Sequence, residues 1–181
     1  MSDAPQPRVL VIHGPNLNLL GEREPAVYGS ASLAELDASL HALADELAVA
    51  LTIVQSNSEG AIIDAIHAAR PAGAQPQDGI VINPGGYTHT SVAIHDALRA
   101  VPVPAIEVHL SNIYRRETFR HASVTGVACA GVIMGLGTAS YLLALRHLAD
   151  TLRGATATVV PATPPAPTPN FTPRDPARPS P

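Results

Sequence analysis

Five short apolar runs, each followed by a helical pattern or a long polar segment, constrain this chain more than any other feature. The runs are Arg8–Ile12, Leu51–Gln55, Gly79–Ile82, Pro104–His109 and a segment inside Gly126–Met134. They lack the polar alternation of a strand that faces water on one side, so each reads as a strand buried on both faces. Between them lie helical spacings. Ser32–Ala50 carries Leu33, Leu36, Leu40, Leu43 and Leu47 on one stripe, and Ser32 with Glu35 forms a capping-box pattern at its start. Ser58 is placed to cap a helix from Glu59 to about Ala69, and Thr88–Ala100 and Thr138 to about Leu152 complete the set. Ser111–Ser123 reads as irregular or short helix.

Strand–helix alternation of this kind predicts a doubly wound, five-stranded parallel sheet in a three-layer α/β/α sandwich, flavodoxin-like in architecture. Such sheets bind ligands outside the carboxyl ends of their strands. The polar residues at the predicted strand ends are Asn16, Asn57, Asn83 and His109. Domain organisation follows composition. Residues 1–153 read as one domain with a short Pro-containing leader, and 154–181 as an extended Pro-rich tail. Nine of the eighteen prolines fall in Pro161–Pro181, a composition that packs no core. The charge-free stretch Val124–Leu145 is long enough to span a bilayer. Its four glycines divide it, and a buried strand followed by a helix is the expected reading.

Charge and residue usage exclude several functions. The net charge of −4 and the lack of a basic run argue against nucleic-acid binding. All eleven basic residues are arginine, so Schiff-base chemistry and a P-loop lysine are ruled out. The single cysteine, Cys129, excludes a disulfide framework and reads as a buried core thiol. The histidine spacings match no usual metal-ligand pattern. No Gly-x-Ser-x-Gly elbow is present, and Gly135-Leu-Gly-Thr-Ala-Ser140 comes too late in the chain for a dinucleotide fingerprint.

Three polar clusters remain. The first is the long connection His13–Gly29, with Asn16, Arg23 and Tyr28. Connections of that length are more often functional loops or lids than passive links. Tyr28 beside a guanidinium is a candidate base, because a nearby cation favours phenolate and lowers a pKa that starts near 10. The second is Asn83-Pro-Gly-Gly-Tyr-Thr-His89-Thr-Ser91, leading to Asp96. It opens a helix, whose free amides suit an anion. The third runs from Glu107 through His109 to Arg116 and Arg120. Two residues apart in a strand, Glu107 and His109 share a face, so the carboxylate can orient the imidazole as a general acid. Arg116 and Arg120 are four apart and could share a helix face. From residues alone two readings stand: an acid–base enzyme for a small polyhydroxy acid, and a non-catalytic flavodoxin-like module that binds a small anion.

The clusters together resemble type II 3-dehydroquinate dehydratase. The match lies in Gly14-Pro-Asn-Leu-Asn-Leu-Leu-Gly-Glu-Arg-Glu-Pro with Tyr28-Gly, in Ile82-Asn-Pro-Gly-Gly-Tyr-Thr-His-Thr-Ser91, and in Ile106-Glu-Val-His-Leu-Ser-Asn112 with Phe119-Arg-His-Ala-Ser123. The resemblance extends over about Arg8 to Leu148. It implies a hydro-lyase of the shikimate pathway to chorismate, converting 3-dehydroquinate reversibly to 3-dehydroshikimate by anti elimination. It implies Tyr28 as the base activated by Arg23, Asn16 in the network around the enolate, His109 as the acid and Glu107 as its support. It also implies that Asn83 and the amides of Leu110 and Ser111 hold the carboxylate. His89, Arg120 and an Asp96 from a neighbouring subunit would hold ring hydroxyls, and Arg116 would help close the loop. The family implication extends to a cytoplasmic dodecamer, a tetramer of trimers, that uses no cofactor or metal and contacts no nucleic acid or membrane. Gly86, His95 and Ile113-Tyr114-Arg115 depart from the common pattern.

Overall fold

The computed structural model describes residues 6–22 and 31–154. The leader before residue 6, the Pro-rich tail from residue 155 and the part of the long connection holding Arg23 and Tyr28 lie outside the described residues.

Five parallel strands, β1 (Arg8–His13), β2 (Ala50–Gln55), β3 (Gly79–Asn83), β4 (Ala105–His109) and β5 (Gly131–Met134), form one sheet in the order β2-β1-β3-β4-β5. That order is flavodoxin-like, and it reverses direction between β1 and β3. Four helices cover the sheet: α1 (Leu33–Glu46), α2 (Glu59–Ala68), α3 (Val92–Ala100) and α4 (Ala139–Leu152).

Period-two alternation along buried strands divides the core by face. Val9, Val11, Val81, Ile106 and Val108 pack with Leu36 and Leu40 of α1 and Tyr141 and Leu145 of α4. Leu10, Ile12, Ile80 and Ile82 pack on the opposite face with Ile62 and Ile66 of α2 and Ile94 and Leu98 of α3. Both faces are covered at β1, β3 and β4, as their apolar runs predict, but the edge strands β2 and β5 hold no fully buried residue and Val132 of β5 is exposed, because an edge strand has a neighbour on one side only. Register carries this parity to the carboxyl edge, where His13 pairs with Asn83 and Ile82 with Glu107. His13 and Asn83 therefore continue the valine face, and Glu107 with His109 the other.

Local signals set most helix starts. Ser32 accepts the Glu35 N–H while Glu35 accepts the Ser32 N–H, completing the expected capping box. Ser58 accepts from Ala61, and Ser91 from Ile94. The ends differ from expectation at two places, and β5 lies inside the interval expected for it. The first helix stops at Glu46 instead of running to residue 50, because Ala48 takes φ 45° and Val49 N–H returns to the Ala44 carbonyl. The third begins at Val92, since Gly85–His89 forms a separate 3₁₀ turn and Ser91 caps the α-helix. In the last interval, Gly126–Ala128 is also 3₁₀, so β5 occupies only Gly131–Met134. The stretch 124–145 thus splits between β5 and the start of α4. Among the described residues no helix is long and apolar enough to cross a membrane.

The α1 stripe should be the most sensitive part of this core. Leu40 is fully buried, and Leu40→Ala should destabilise the fold by about 2–5 kcal/mol through lost transfer energy and a cavity. A denaturant titration checks this; a midpoint equal to that of the parent would contradict the packing described.

Candidate active site

The carboxyl ends of β1, β3 and β4 surround a cavity of about 410 Å³. Asn16, Asn83, His89, His109, Arg116 and Arg120 all line it, together with Leu110 and Ser111. Eight of the expected site residues, drawn from the three sequence clusters, are therefore brought together. Asp96 is exposed on α3 and does not line the cavity of its own chain.

The root of the long connection is shaped by its backbone. Gly14 N–H donates to the Asn83 carbonyl at 2.8 Å. A Cβ on Gly14 would stand 2.6 Å from that oxygen, so only glycine permits the approach. Asn16 then takes φ 66°, a left-handed conformation that asparagine tolerates. Its N–H donates to Asn57 Oδ1 at 2.8 Å, and the Tyr87 hydroxyl donates to the Asn57 carbonyl at 3.0 Å. Asn57 was read only as a strand-end residue; it is the post that fixes Asn16.

On the valine face, Asn83 Oδ1 accepts the Gly85 N–H at 3.1 Å, and its side chain also meets the Tyr141 hydroxyl. Beside it lies His13, fully buried between Tyr141 Oη at 3.1 Å and Asp37 Oδ1 at 2.9 Å. Burial pushes the His13 imidazole below its ordinary value against the pull of Asp37. Burial also pushes the Tyr141 phenol up, leaving it protonated and able to donate. No local spacing in the sequence links His13 to Asp37 or Tyr141, which lie 24 and 128 residues away.

Across the sheet, Glu107 is fully buried and accepts His109 Nε2 at 2.9 Å. The imidazole thus uses one nitrogen for the carboxylate, and Nδ1 remains for a ligand. Glu107 also accepts from Ser123 Oγ at 2.7 Å and from Thr125 Oγ1. Neither hydroxyl had an assigned role from sequence, because they lie 16 and 18 residues away in an irregular segment.

The arginines sit differently from expectation. Their segment is irregular with short helix, as expected, but its two 3₁₀ turns, Ile113–Arg115 and Thr118–Arg120, give the arginines no common helix face. Arg116 and Arg120 come together through Glu117, which accepts Arg120 Nε at 3.0 Å and lies 3.5 Å from Arg116 Nε. Its own backbone N–H and the two guanidiniums hold the Glu117 carboxyl below the usual carboxylate range. Arg116 also reaches Ser111 Oγ at 3.5 Å, and Arg120 lies over the Phe119 ring. His89 donates to the Ala122 carbonyl at 2.8 Å. Cys129 is buried as expected, and burial pushes its thiol up, so it is no nucleophile. Among the described residues no group of three or more His, Cys, Asp or Glu side chains is disposed to hold a metal ion.

Fold and cavity together define a flavodoxin-like α/β protein with a buried carboxylate–imidazole pair at the carboxyl edge of its sheet. Comparison with known families narrows this. Residues 7–149 match the family described as Dehydroquinase class II, and the chain belongs to that family. Relatives named 3-dehydroquinate dehydratase include those of Bordetella pertussis, 56% identical over 78% of this chain and 96% of its own length, and Legionella pneumophila, 52% identical over 81% and 99%. The crystal structure of a type II dehydroquinase from Butyrivibrio crossotus superposes with a TM-score of 0.76 at 46% identity, covering 79% of this chain and 97% of that one.

The buried His13 generates a prediction about stability. Its folded pKa is depressed, so its contribution is fully present above the unfolded value near 6.5 and is lost as pH falls through the folded value. Thermal midpoints should therefore drop as pH falls below about 6.5. In His13→Asn, which cannot ionise, that drop should be smaller; an identical pH slope in both proteins would contradict the assignment.

Proposed function

We propose that this chain is a 3-dehydroquinate dehydratase, a hydro-lyase that removes water from 3-dehydroquinate to give 3-dehydroshikimate. The observation that carries the reading is the buried Glu107–His109 pair opening into a cavity that also holds two arginines. The names of the relatives supply the substrate. An anion-binding module would account for Arg116 and Arg120 but has no use for an imidazole held by a buried carboxylate.

The proposed steps give each residue the role that the family resemblance implies. Tyr28, as phenolate beside Arg23, takes the C2 proton, and the electron pair of that bond enters an enolate. Asn16 belongs to the hydrogen-bond network around the enolate oxygen. The enolate collapses as the C1–O bond breaks, and His109 gives its proton to the departing hydroxyl, so water leaves from the opposite face. Glu107 stabilises the imidazolium before transfer, as an orienter does for a catalytic base. Asn83 with the amides of Leu110 and Ser111 receives the substrate carboxylate. His89, Arg120 and an Asp96 from a second subunit receive the ring hydroxyls, and Arg116 helps the long connection close. The reaction neither oxidises nor reduces the substrate and calls on no cofactor. The cytoplasm is the proposed location.

Two further elements of the proposal concern organisation. Residues 1–153 form the catalytic domain and 154–181 a Pro-rich tail outside it. The working assembly is a homododecamer, a tetramer of trimers, which is how Asp96 reaches a cavity that it does not line in its own chain.

The product is a conjugated enone that absorbs ultraviolet light where the substrate does not. Purified protein should therefore produce an absorbance rise with 3-dehydroquinate, and a flat trace would refute the function. Tyr28→Phe should lose about 10²–10⁴-fold in kcat while keeping the fold, as expected for loss of a general base. Arg23→Ala should shift the onset of activity to higher pH, since removing the cation raises the phenol pKa; an unmoved profile would refute the role of Arg23. Light scattering on the whole chain and on a variant ending at residue 153 should report the same twelve-subunit mass, and a monomer would refute the assembly.

A further inference from the structure

We infer that Ser123 and Thr125 are positioning residues for the acid, acting as a two-hydroxyl brace that keeps Glu107 charged and aimed at His109. The inference rests on the proposed acid role of His109.

A buried carboxylate with too few donors lowers its free energy by taking up a proton, and a neutral Glu107 would no longer hold His109 as imidazolium. Glu107 has no exposed surface, so water does not supply the donors from bulk. The protein provides three. His109 Nε2 and Ser123 Oγ meet Oε1 at 2.9 and 2.7 Å, and Thr125 Oγ1 meets Oε2. An ionised carboxylate only accepts, so each hydroxyl must spend its single proton on it. The direction at Ser123 is reinforced by Gly126 N–H, which donates to Oγ at 2.7 Å and occupies a lone pair. Both carboxylate oxygens are thereby satisfied, which fixes the plane of the group and the position of the imidazole beyond it.

The brace is itself held. Val124 N–H donates to the Thr88 carbonyl at 2.7 Å, His95 Nδ1 to the Val124 carbonyl at 2.9 Å, and His89 to the Ala122 carbonyl. The segment cannot drift from Glu107 without breaking these bonds. It also has no room: a Cβ at Gly126 would stand 2.8 Å from Ser123 Oγ and 3.2 Å from Glu107 Oε1. The titratable groups facing Glu107 are His109 on its own strand and Cys129 from the segment packed over it. The thiol is pushed up by burial and stays neutral, so the charged or donating groups against the carboxylate are the two hydroxyls and the imidazole.

The test uses full-length Thr125→Val, Thr125→Ser and Ser123→Ala. Losing a donor destabilises the carboxylate form, so in Thr125→Val the acidic limb of kcat should move up by about one pH unit. Its kcat near neutrality should fall at least about tenfold while KM changes by less than about twofold. Thr125→Ser, which restores the hydroxyl, should restore both. An unmoved acidic limb, or a loss that Thr125→Ser fails to recover, would overturn the brace. If Thr125→Val does not fold, Ser123→Ala carries the same expectation and the same refutation. A second readout separates this inference from the activity itself. The carboxyl-carbon NMR titration of Glu107 should shift to higher pH in the variant whether or not the parent dehydrates 3-dehydroquinate, and coincident titrations would overturn the inference alone.

Discussion

The rest of the site depends on one buried carboxylate whose two oxygens are both held by hydrogen bonds. Glu107 sits in mid-strand, under the sheet edge, with Ile106 and Val108 turned to the opposite face. Burial cuts it off from solvent donors; His109, Ser123 and Thr125 take their place by donating to both oxygens. An imidazole bonded through Nε2 to such a carboxylate is held in one orientation, with Nδ1 turned away from it. The cavity, the arginines and the helix starts around it would describe an anion pocket without this pair.

The site straddles the sheet because period-two parity sends neighbouring strand ends to opposite faces. Asn83 continues the valine face, backed by Tyr141, His13 and Asp37, while His109 continues the other face, backed by Glu107 and the segment 121–126. A ligand at the edge between β1, β3 and β4 therefore meets groups supported by two separate layers of the sandwich. Glu117 adds a second balance of charge. It accepts from Arg120 and stands near Arg116, so two guanidiniums lining one cavity share a carboxylate.

Much of the site was legible in the sequence for a simple reason: strand ends are where periodicity stops, and the polar residues at those stops are easy to name. Asn16, Asn83 and His109 were found this way, and the Glu107–His109 pair follows from a spacing of two. Asn57, Ser123 and Thr125 were assigned no supporting role. Each acts through a contact 16 to 41 residues away, and no local spacing encodes such a distance. The expected shared helix face of Arg116 and Arg120 failed because the segment folds into two 3₁₀ turns, and a tertiary partner, Glu117, does the joining instead. The first helix was read too long because leucine spacing continues to Leu47, whereas Ala48 turns left-handed to bring Val49 into the core.

By itself, the sequence determined the sheet, its parallel sense and the caps that start the helices, because those rest on contacts within a few residues and on apolar runs that tolerate only full burial. It also paired Glu107 with His109 on one strand face through a spacing of two. Only the tertiary structure decided the strand order β2-β1-β3-β4-β5, the cavity that gathers residues from three loops, and the brace on Glu107. Those depend on which distant segments pack together, and packing is settled by the shape of the whole core rather than by any stretch of chain.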